Sequence, residues 1–228
     1  MKKFLTYAPL TKKLRAGEFD ELAMLVYDLS GSVTMKIKCY RKAGTSATYS
    51  YTSVISGGRF SFTVGIPAGE TFSLLSYIEV WGEYGSVQVT EKRIWTIDET
   101  TRRAPVRMGF LNTLGGIDYY TFTGSKTSEV TAEKAQYQRD VSPVTASARS
   151  LSVGAVTAYD EFEVVSDFET TAVYSWLAGL IVTTEAWIYD GGIRPVILTT
   201  KSHPVESDNL IQMKIKYRYS FDKLVQNG

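Results

Sequence analysis

The stretch from residue 109 to residue 124, GFLNTLGGIDYYTFTG, constrains the fold more than any other part of the chain. Two runs of strand-favouring residues flank Gly115 and Gly116, which can adopt positive φ angles without steric cost. Asn112 and Asp118 lie beside this turn, where short polar side chains can bond nearby backbone amides. The pattern predicts a β-hairpin. The alternative is a binding or catalytic loop that presents Asn112 and Asp118, but Gly, Asn and Asp are the ordinary residues of turns.

Residues 19–104, before the hairpin, contain short strand-like runs separated by turns at nearly regular spacing. In the clearest run, polar residues alternate with side chains suited to a core, which are Val33, Met35, Ile37 and Cys39. Such a series of strands predicts an antiparallel β-sandwich or barrel. Cys39 is the only cysteine, so the chain cannot form an internal disulfide, and its place in the alternation predicts a buried thiol.

Residues 105–228 predict a β-rich α+β domain with one main helix, at about residues 166–182. Ser166 and Glu169 have the spacing of a helix capping box. Apolar side chains then recur at helical spacing and predict packing against a sheet; they are Phe168, Ala172, Val173, Trp176, Leu177, Leu180 and Ile181. The predicted fold class is therefore mainly β, with an antiparallel β-sandwich or barrel in the N-terminal half and an α+β C-terminal half.

Residues 1–18 form a basic segment in which Pro9 and Gly17 discourage a regular element. We predict an N-terminal arm that is either solvated or laid across a neighbouring subunit. The segment lacks the apolar stretch of a secretory signal, and no run in the chain reaches transmembrane length without a charge. These features predict a soluble protein that is made in the cytoplasm and has no membrane partner.

Charge patterning points to protein partners rather than to nucleic acid. The 228-residue chain has a net charge of +1, so direct nucleic-acid binding is not expected. Two strands nevertheless have a basic face, and these faces form a candidate interface made of Lys36, Lys38, Lys214, Lys216 and Arg218. Basic faces can protect strand edges, and beside the acidic run at 160–163 they can also set the register of self-complementary ring subunits.

The sequence contains no assembled set of catalytic residues. The only histidine is His203, and the chain has neither a nucleophile elbow nor a phosphate-binding glycine loop. Asp160, Glu161 and Glu163 are candidate paired carboxylates for a glycosidase, although adjacent acids are more typical of a solvated face. We therefore expect no enzyme activity, no metal site and no cofactor.

The hairpin also resembles a known signature. The residues Leu111-Asn112, Gly115-Gly116, Asp118 and Phe122 are similar to the Leu-Asn-x-x-Gly-Gly-x-Asp-x-x-x-Phe pattern of a protein family in tail modules of phages and prophages of Bacteroides-like bacteria. Most of the chain resembles this family more loosely, including the segments at 4–6, 137–140, 176–177 and 186–197. Leu114 and Ile117 depart from the pattern, because the family commonly has an aromatic residue and a tryptophan there.

The resemblance implies a virion structural protein, namely a ring-forming tail, baseplate or tail-adaptor component. Its partners would be further copies of itself and other phage tail or connector proteins, and it would be located in the virion tail. The resemblance supplies no catalytic residues. It implies instead that the motif residues define the fold; these are Asn112, Gly115, Gly116, Asp118, Tyr120 and Phe122.

Two other functions stay open from the sequence. Trp81, Trp95 and Trp187 could stack on sugars, so the runner-up is a carbohydrate-binding or host-binding β-sandwich module of a phage particle. A hydrolase is a distant third. A buried Asp118 with a bonded Asn112 would favour the structural protein, an exposed aromatic row would favour glycan binding, and a cleft that brings acids to His203 would favour the hydrolase.

Overall fold

The computed structural model describes most of the chain. The described residues are 2–26, 31–55, 58–100, 104–138, 151–202, 211–220 and 224–227. The first eight strands are β1 (Thr11–Leu14), β2 (Asp20–Leu25), β3 (Gly31–Arg41), β4 (Ser46–Ile55), β5 (Arg59–Val64), β6 (Leu75–Tyr84), β7 (Val87–Gln88) and β8 (Arg93–Ile97). The others are β9 (Val106–Leu111), β10 (Ile117–Phe122), β11 (Lys126–Gln138), β12 (Leu151–Val165), β13 (Ala186–Tyr189), β14 (Ile193–Leu198), β15 (Lys214–Tyr219) and β16 (Leu224–Asn227).

The described residues contain one α-helix, α1 (Thr171–Leu177), and short 3-10 turns at Phe72–Leu74 and Ala178–Leu180. The prediction of a mainly β fold with one helix is confirmed. Within the described part of the chain, no helix is long and apolar enough to cross a membrane.

The N-terminal strands form a two-layered sandwich. A six-stranded sheet has the order β1-β8-β6-β3-β4, with β7 beside β6, and the β2–β5 pair forms the second layer. All pairings are antiparallel except β1 with β8, which is parallel. The alternation in β3 is as predicted, because Val33, Met35, Ile37 and Cys39 are all buried in the core between the layers.

Cys39 is a free, buried cysteine, as predicted. Burial disfavours the thiolate and raises the pKa of the thiol to about 11. We therefore expect the native protein to react with a thiol reagent such as Ellman's reagent at pH 8 at least a hundredfold more slowly than the unfolded protein. Measuring the reaction rate with and without denaturant checks this; equal rates would contradict the buried position.

The C-terminal strands form an eight-stranded sheet with the order β10-β9-β13-β14-β15-β12-β11, and β16 also pairs with β12. The helical segment packs on one face of this sheet. Trp176, Leu177 and Leu180 are buried with strand residues such as Phe110 and Ile215 in a second core. At the β10–β9–β13 end, the other face of the sheet packs on the first half, where Phe19 contacts the rings of Tyr119 and Tyr189. The helix on the sheet gives this half the predicted α+β character.

The helix is shorter than predicted. It begins at Thr171 instead of near Ser166, and the capping-box interpretation is wrong. Ser166 and Met213 exchange hydrogen bonds: the Ser166 amide donates to the Met213 carbonyl, and the Met213 amide donates to Ser166 Oγ. The backbone of Glu169 pairs with Ile211 in the same way. This extended pairing holds residues 166–169 out of a helix, and Phe168 is exposed rather than part of the apolar stripe.

The N-terminal segment is not a solvated arm. Strand β1 completes the first sheet beside β8, and Phe4 and Leu14 are buried in the first core. Ala8 is buried in the second core. The segment therefore contacts both halves of the molecule, which the polar composition of residues 1–18 did not predict.

Strands β11 and β12 form a long ribbon at one edge of the second sheet. They pair over thirteen positions, from Lys126↔Val164 to Gln138↔Leu151. On the other side, β15 pairs with β12 only from Phe162 to Val165, and β16 pairs only from Ala155 to Ala158. Strand β11 is therefore the outermost strand of the sheet among the described residues, and all but one of its residues are exposed.

Candidate functional site

The predicted hairpin is formed by β9 and β10, and Asn112 organises its turn. The Asn112 amide donates to the Gly116 carbonyl at 2.9 Å. Its side-chain Oδ1 accepts hydrogen bonds from the amides of Leu114 at 2.9 Å and Gly116 at 3.0 Å. Its Nδ2 donates to the Leu5 carbonyl at 2.9 Å. Asn112 thus closes the turn and also holds the N-terminal segment.

The two glycines of the motif have different roles. Gly115 has a φ angle of +81°, which L-residues rarely adopt, and a Cβ there would meet no atom within 4 Å. Gly116 has no such φ, but a Cβ on it would lie 1.9 Å from the Leu5 carbonyl oxygen. Gly115 therefore allows the turn, whereas Gly116 allows the N-terminal segment to lie against it.

Asp118 is a buried carboxylate with two donors. Thr6 Oγ1 donates to Oδ1 at 2.5 Å, and the indole Nε1 of Trp176 donates to Oδ2 at 2.9 Å. Asp118 consequently joins the N-terminal segment to helix α1 through the hairpin. A carboxylate bonded on both oxygens and shielded from solvent is a structural link rather than a presented ligand.

The remaining motif residues belong to the same structural unit. Phe122 is buried in the second core. Tyr120 donates its hydroxyl to Glu169 Oε1 at 2.8 Å, and burial raises the pKa of Tyr120 well above its usual value. The hairpin motif therefore forms a junction between the N-terminal segment, the second sheet and the segment that precedes α1.

A cluster of buried charges lies next to this junction. Asp20, at the start of β2, accepts from Lys12 Nζ at 2.6 Å, from Arg107 Nη2 at 2.9 Å and from the Trp95 indole at 2.7 Å. Arg107 also pairs with Glu18 at 3.2 Å. Because Asp20 and Trp95 belong to the first sandwich and Arg107 to β9, these bonds join the two halves of the molecule.

Nothing in the sequence marks this cluster as a unit. Asp20 is one acid among many in the chain, and nothing adjacent to it forms a motif. The three groups that bond it lie at residues 12, 95 and 107, so only the folded chain brings them together. The one sequence signal is that Asp20 stands at the start of an apolar run. Acidic residues are common at strand ends, so this signal does not single out Asp20.

A groove of about 540 Å³ lies between the N-terminal segment and the helical face of the second half. It is lined by Leu10, Lys13, Tyr120, Val173 and Trp176, among others. Lys13 spans it with its Nζ 3.7 Å from Glu169 Oε1. The lining cations Lys12, Arg15 and Arg107 are likewise paired with carboxylates of this chain. These ion pairs connect the walls, which is expected at a domain junction.

The five residues of the candidate interface lie on the solvent-facing sides of β3 and β15. Lys36 Nζ lies 3.7 Å from Glu83, and Lys38 Nζ lies 4.7 Å from the Tyr40 ring centroid. Lys216 pairs with Glu129 at 3.3 Å and with Glu161 at 3.5 Å, and Arg218 lies over the Tyr159 ring. Lys214 shares the solvent-facing side of β15. None of these five is buried.

The three tryptophans proposed for sugar stacking do not form one surface. Trp95 is buried in the first core and bonded to Asp20. Trp81 is partly exposed on the outer face of the first sheet, with Lys92 Nζ 4.8 Å from its ring centroid. Trp187 lies in β13 of the other sheet. The structure therefore does not assemble a row from these tryptophans.

The acidic run at 160–163 is part of the ribbon. Asp160 lies on one face of β12, whereas Glu161 and Glu163 lie on the other, with Glu161 bonded to Thr199 at 2.6 Å. That hydrogen bond, together with nearby Lys216, lowers the pKa of Glu161. Within the described ranges no group of acids, histidine or cysteine could hold a metal ion. His203 lies outside the described residues.

A scan against protein-family models gave no match, and a search of curated proteins gave no similar sequence.

Proposed function

We propose that this chain is a structural subunit of a phage tail, forming a ring in the tail, baseplate or tail adaptor by self-association and by docking to other virion proteins. The observation that carries this proposal is the β11–β12 ribbon. The virion assignment rests on the resemblance of the hairpin signature, and the self-association rests on the ribbon itself.

Strand β11 pairs only with β12 among the described residues, so its other edge is open. A long unpaired edge is a template for pairing with another chain. The ribbon also exposes apolar side chains: Val130 is 71% exposed, Leu151 56%, Val153 46% and Tyr137 44%. A neighbouring subunit would bury these groups and pair the edge.

The state of the hairpin motif supports the same proposal. Asp118 is buried, and both the Oδ1 and the Nδ2 of Asn112 are hydrogen-bonded within the chain. A motif that defines the fold requires this arrangement. Neither side chain is presented to a ligand. The motif therefore positions the two halves of the subunit, and the surfaces left for function are its strands.

We expect the purified protein to form an oligomer of defined size at micromolar concentration. Light scattering over a range of protein and salt concentrations measures its mass, which should be a fixed multiple of 25.4 kDa and should give the ring symmetry. Subunits should associate mainly through pairing of strands that become buried, with a smaller contribution from charged side chains. Salt screens only the charged contribution, so it should weaken the association only in part. A strict monomer at every concentration would contradict the proposal.

One observation favours a second function, carbohydrate binding on the first sheet. Tyr40 and Tyr77 stack with their ring centroids 4.3 Å apart on its outer face, and Trp81 lies on the same face two strand positions from Glu79 and Glu83. Aromatic faces beside carboxylates can bind sugars. A glycan array on the wild type and on Trp81→Ala tests this; binding that survives the substitution would exclude this face.

A further inference from the structure

The groove between the N-terminal segment and helix α1 has the size of a small-molecule site. Its volume is about 540 Å³, and sites for drug-sized ligands commonly measure about 300–1,000 Å³. Both walls contribute apolar side chains: Pro9 and Leu10 belong to the N-terminal segment, and Val173 and Trp176 belong to α1. A molecule with an apolar body would therefore lose contact with water on two sides when it entered the groove.

The wall formed by the N-terminal segment is held in place by strand β8. The Leu10 carbonyl accepts a hydrogen bond from the Ile94 amide at 2.8 Å. The guanidinium of Arg93 donates to the carbonyls of Ala8 at 3.2 Å and Pro9 at 3.3 Å. The side chain of Leu10 is nevertheless 55% exposed. The segment cannot move towards α1 to cover Leu10 without breaking these hydrogen bonds.

The opposite wall is fixed as well. The indole of Trp176 donates to Asp118 at 2.9 Å, and Leu177 beside it is buried in the second core. Val173 packs against the same core. Because neither wall is free to close on the other, the groove is open before any ligand arrives. A preformed site loses little binding free energy to the ordering of its own side chains.

The charges of the groove favour an uncharged ligand. Four cations line it, and each lies within 4 Å of a carboxylate of the same chain. The pairs are Lys12 with Asp20, Lys13 with Glu169, Arg15 with Asp98 and Arg107 with Asp20. A charged ligand would have to compete with one of these pairs and would also lose its hydration, whereas an uncharged ligand leaves the pairs intact.

We propose that this groove binds a small, uncharged molecule with a mainly apolar body. The body would lie between Leu10 on one wall and Val173 on the other. The hydroxyls of Thr11 and Thr170, which also line the groove, can bond one neutral polar group of the ligand. This ligand site is additional to the proposed structural function and does not depend on self-association.

A fluorescent probe tests the proposal on the full-length protein. N-phenyl-1-naphthylamine is uncharged, and its emission rises in apolar surroundings. We expect it to bind at one site per chain, with a dissociation constant on the order of 10–100 μM. Leu10→Trp fills the groove from one wall and Thr170→Trp fills it from the other, so each should weaken binding about tenfold through steric clash.

The matched control is the same substitution at a leucine of equal exposure outside the groove. Leu74 is 57% exposed and lies in the 3-10 turn before β6. Leu74→Trp should therefore leave the affinity for the probe unchanged. Binding that survives both Leu10→Trp and Thr170→Trp, or no binding to the wild type, would overturn the proposal.

A second probe tests the charge of the ligand. The compound 8-anilinonaphthalene-1-sulfonate has the same ring system with an added sulfonate, and it should bind about fivefold more weakly. Tighter binding of the sulfonate that Lys13→Met abolishes would overturn the uncharged class and indicate an anion site instead.

Light scattering on the same samples separates this proposal from the proposed function. Probe binding that weakens as the protein associates would show that a neighbouring copy occupies the groove, and would overturn the small-molecule site. A strictly monomeric protein that binds the probe in the groove would support the site and contradict the proposed ring.

Discussion

Replacing Asp20 with alanine is expected to lower the free energy of unfolding by about 3 kcal/mol, because it removes a buried carboxylate that pairs with Lys12 and Arg107. Arg107 would keep only its ion pair with Glu18. The Asp20 carboxylate contacts Lys12 at 2.6 Å and Arg107 at 2.9 Å, and its side chain is only 5% exposed. It also accepts the Trp95 indole N–H. Urea denaturation followed by tryptophan fluorescence measures the change.

The adjacent acid provides the control. The Glu21 side chain lies on the opposite face of β2 from Asp20, and it pairs with Arg59 at 3.3 Å near the surface. Glu21→Ala should therefore change the free energy of unfolding by less than about 1 kcal/mol. Asp20→Asn should fall between the two, since it keeps an acceptor for Trp95 and loses the charge. Equal losses for Asp20→Ala and Glu21→Ala would show that the cluster does not stabilise the junction.

Gly116→Ala should lower the free energy of unfolding by about 3 kcal/mol, at the upper end of the cost of overpacking. The added Cβ would lie 1.9 Å from the Leu5 carbonyl oxygen, a backbone atom that cannot move alone. Its displacement would also strain the Asn112–Leu5 hydrogen bond. Besides the denaturation curve, limited proteolysis should cleave the segment at residues 5–10 faster than in the wild type.

Gly115→Ala is the matched control for that substitution. It should cost about 1 kcal/mol, because an alanine at a φ angle of +81° is strained but meets no neighbouring atom. Proteolysis of the N-terminal segment should not change, since Gly115 does not contact it. If Gly115→Ala exposed the segment as much as Gly116→Ala did, the close approach to Leu5 would not be what holds it.

The features that the sequence predicted are those set by short-range patterns. The turn at Gly115 and the alternation through Cys39 depend on residues a few positions apart, and both appear in the structure. The helix start was misplaced because Ser166 and Glu169 bond residues 213 and 211 rather than a local helical turn. A local capping signal cannot reveal such a competitor.

The junction itself could not be predicted, since it depends on pairs that are far apart in the chain. Thr6 and Asp118 are separated by 112 positions, and Arg107 and Asp20 by 87. The ribbon was left open for a different reason: from the sequence, residues 125–137 could be a continuing strand or a solvent-exposed segment. Residues 125–137 show no clear hydrophobic period, and β11 is exposed on both faces, so neither half-buried alternation nor a core run marks it.

The parallel pairing of β1 with β8 has a consequence for how the chain matures. Residues 4–14 have partners that are synthesised much later. Lys12 lies opposite Trp95 and over the Trp176 ring, and Leu5 and Thr6 bond residues 112 and 118. Contacts of such high sequence separation form slowly. Strand β1 can pair with β8 once residue 97 has been synthesised, but Leu5 and Thr6 can bond Asn112 and Asp118 only after the hairpin has followed. The N-terminal segment therefore completes its contacts in two stages, first within the first sheet and then across to the second half.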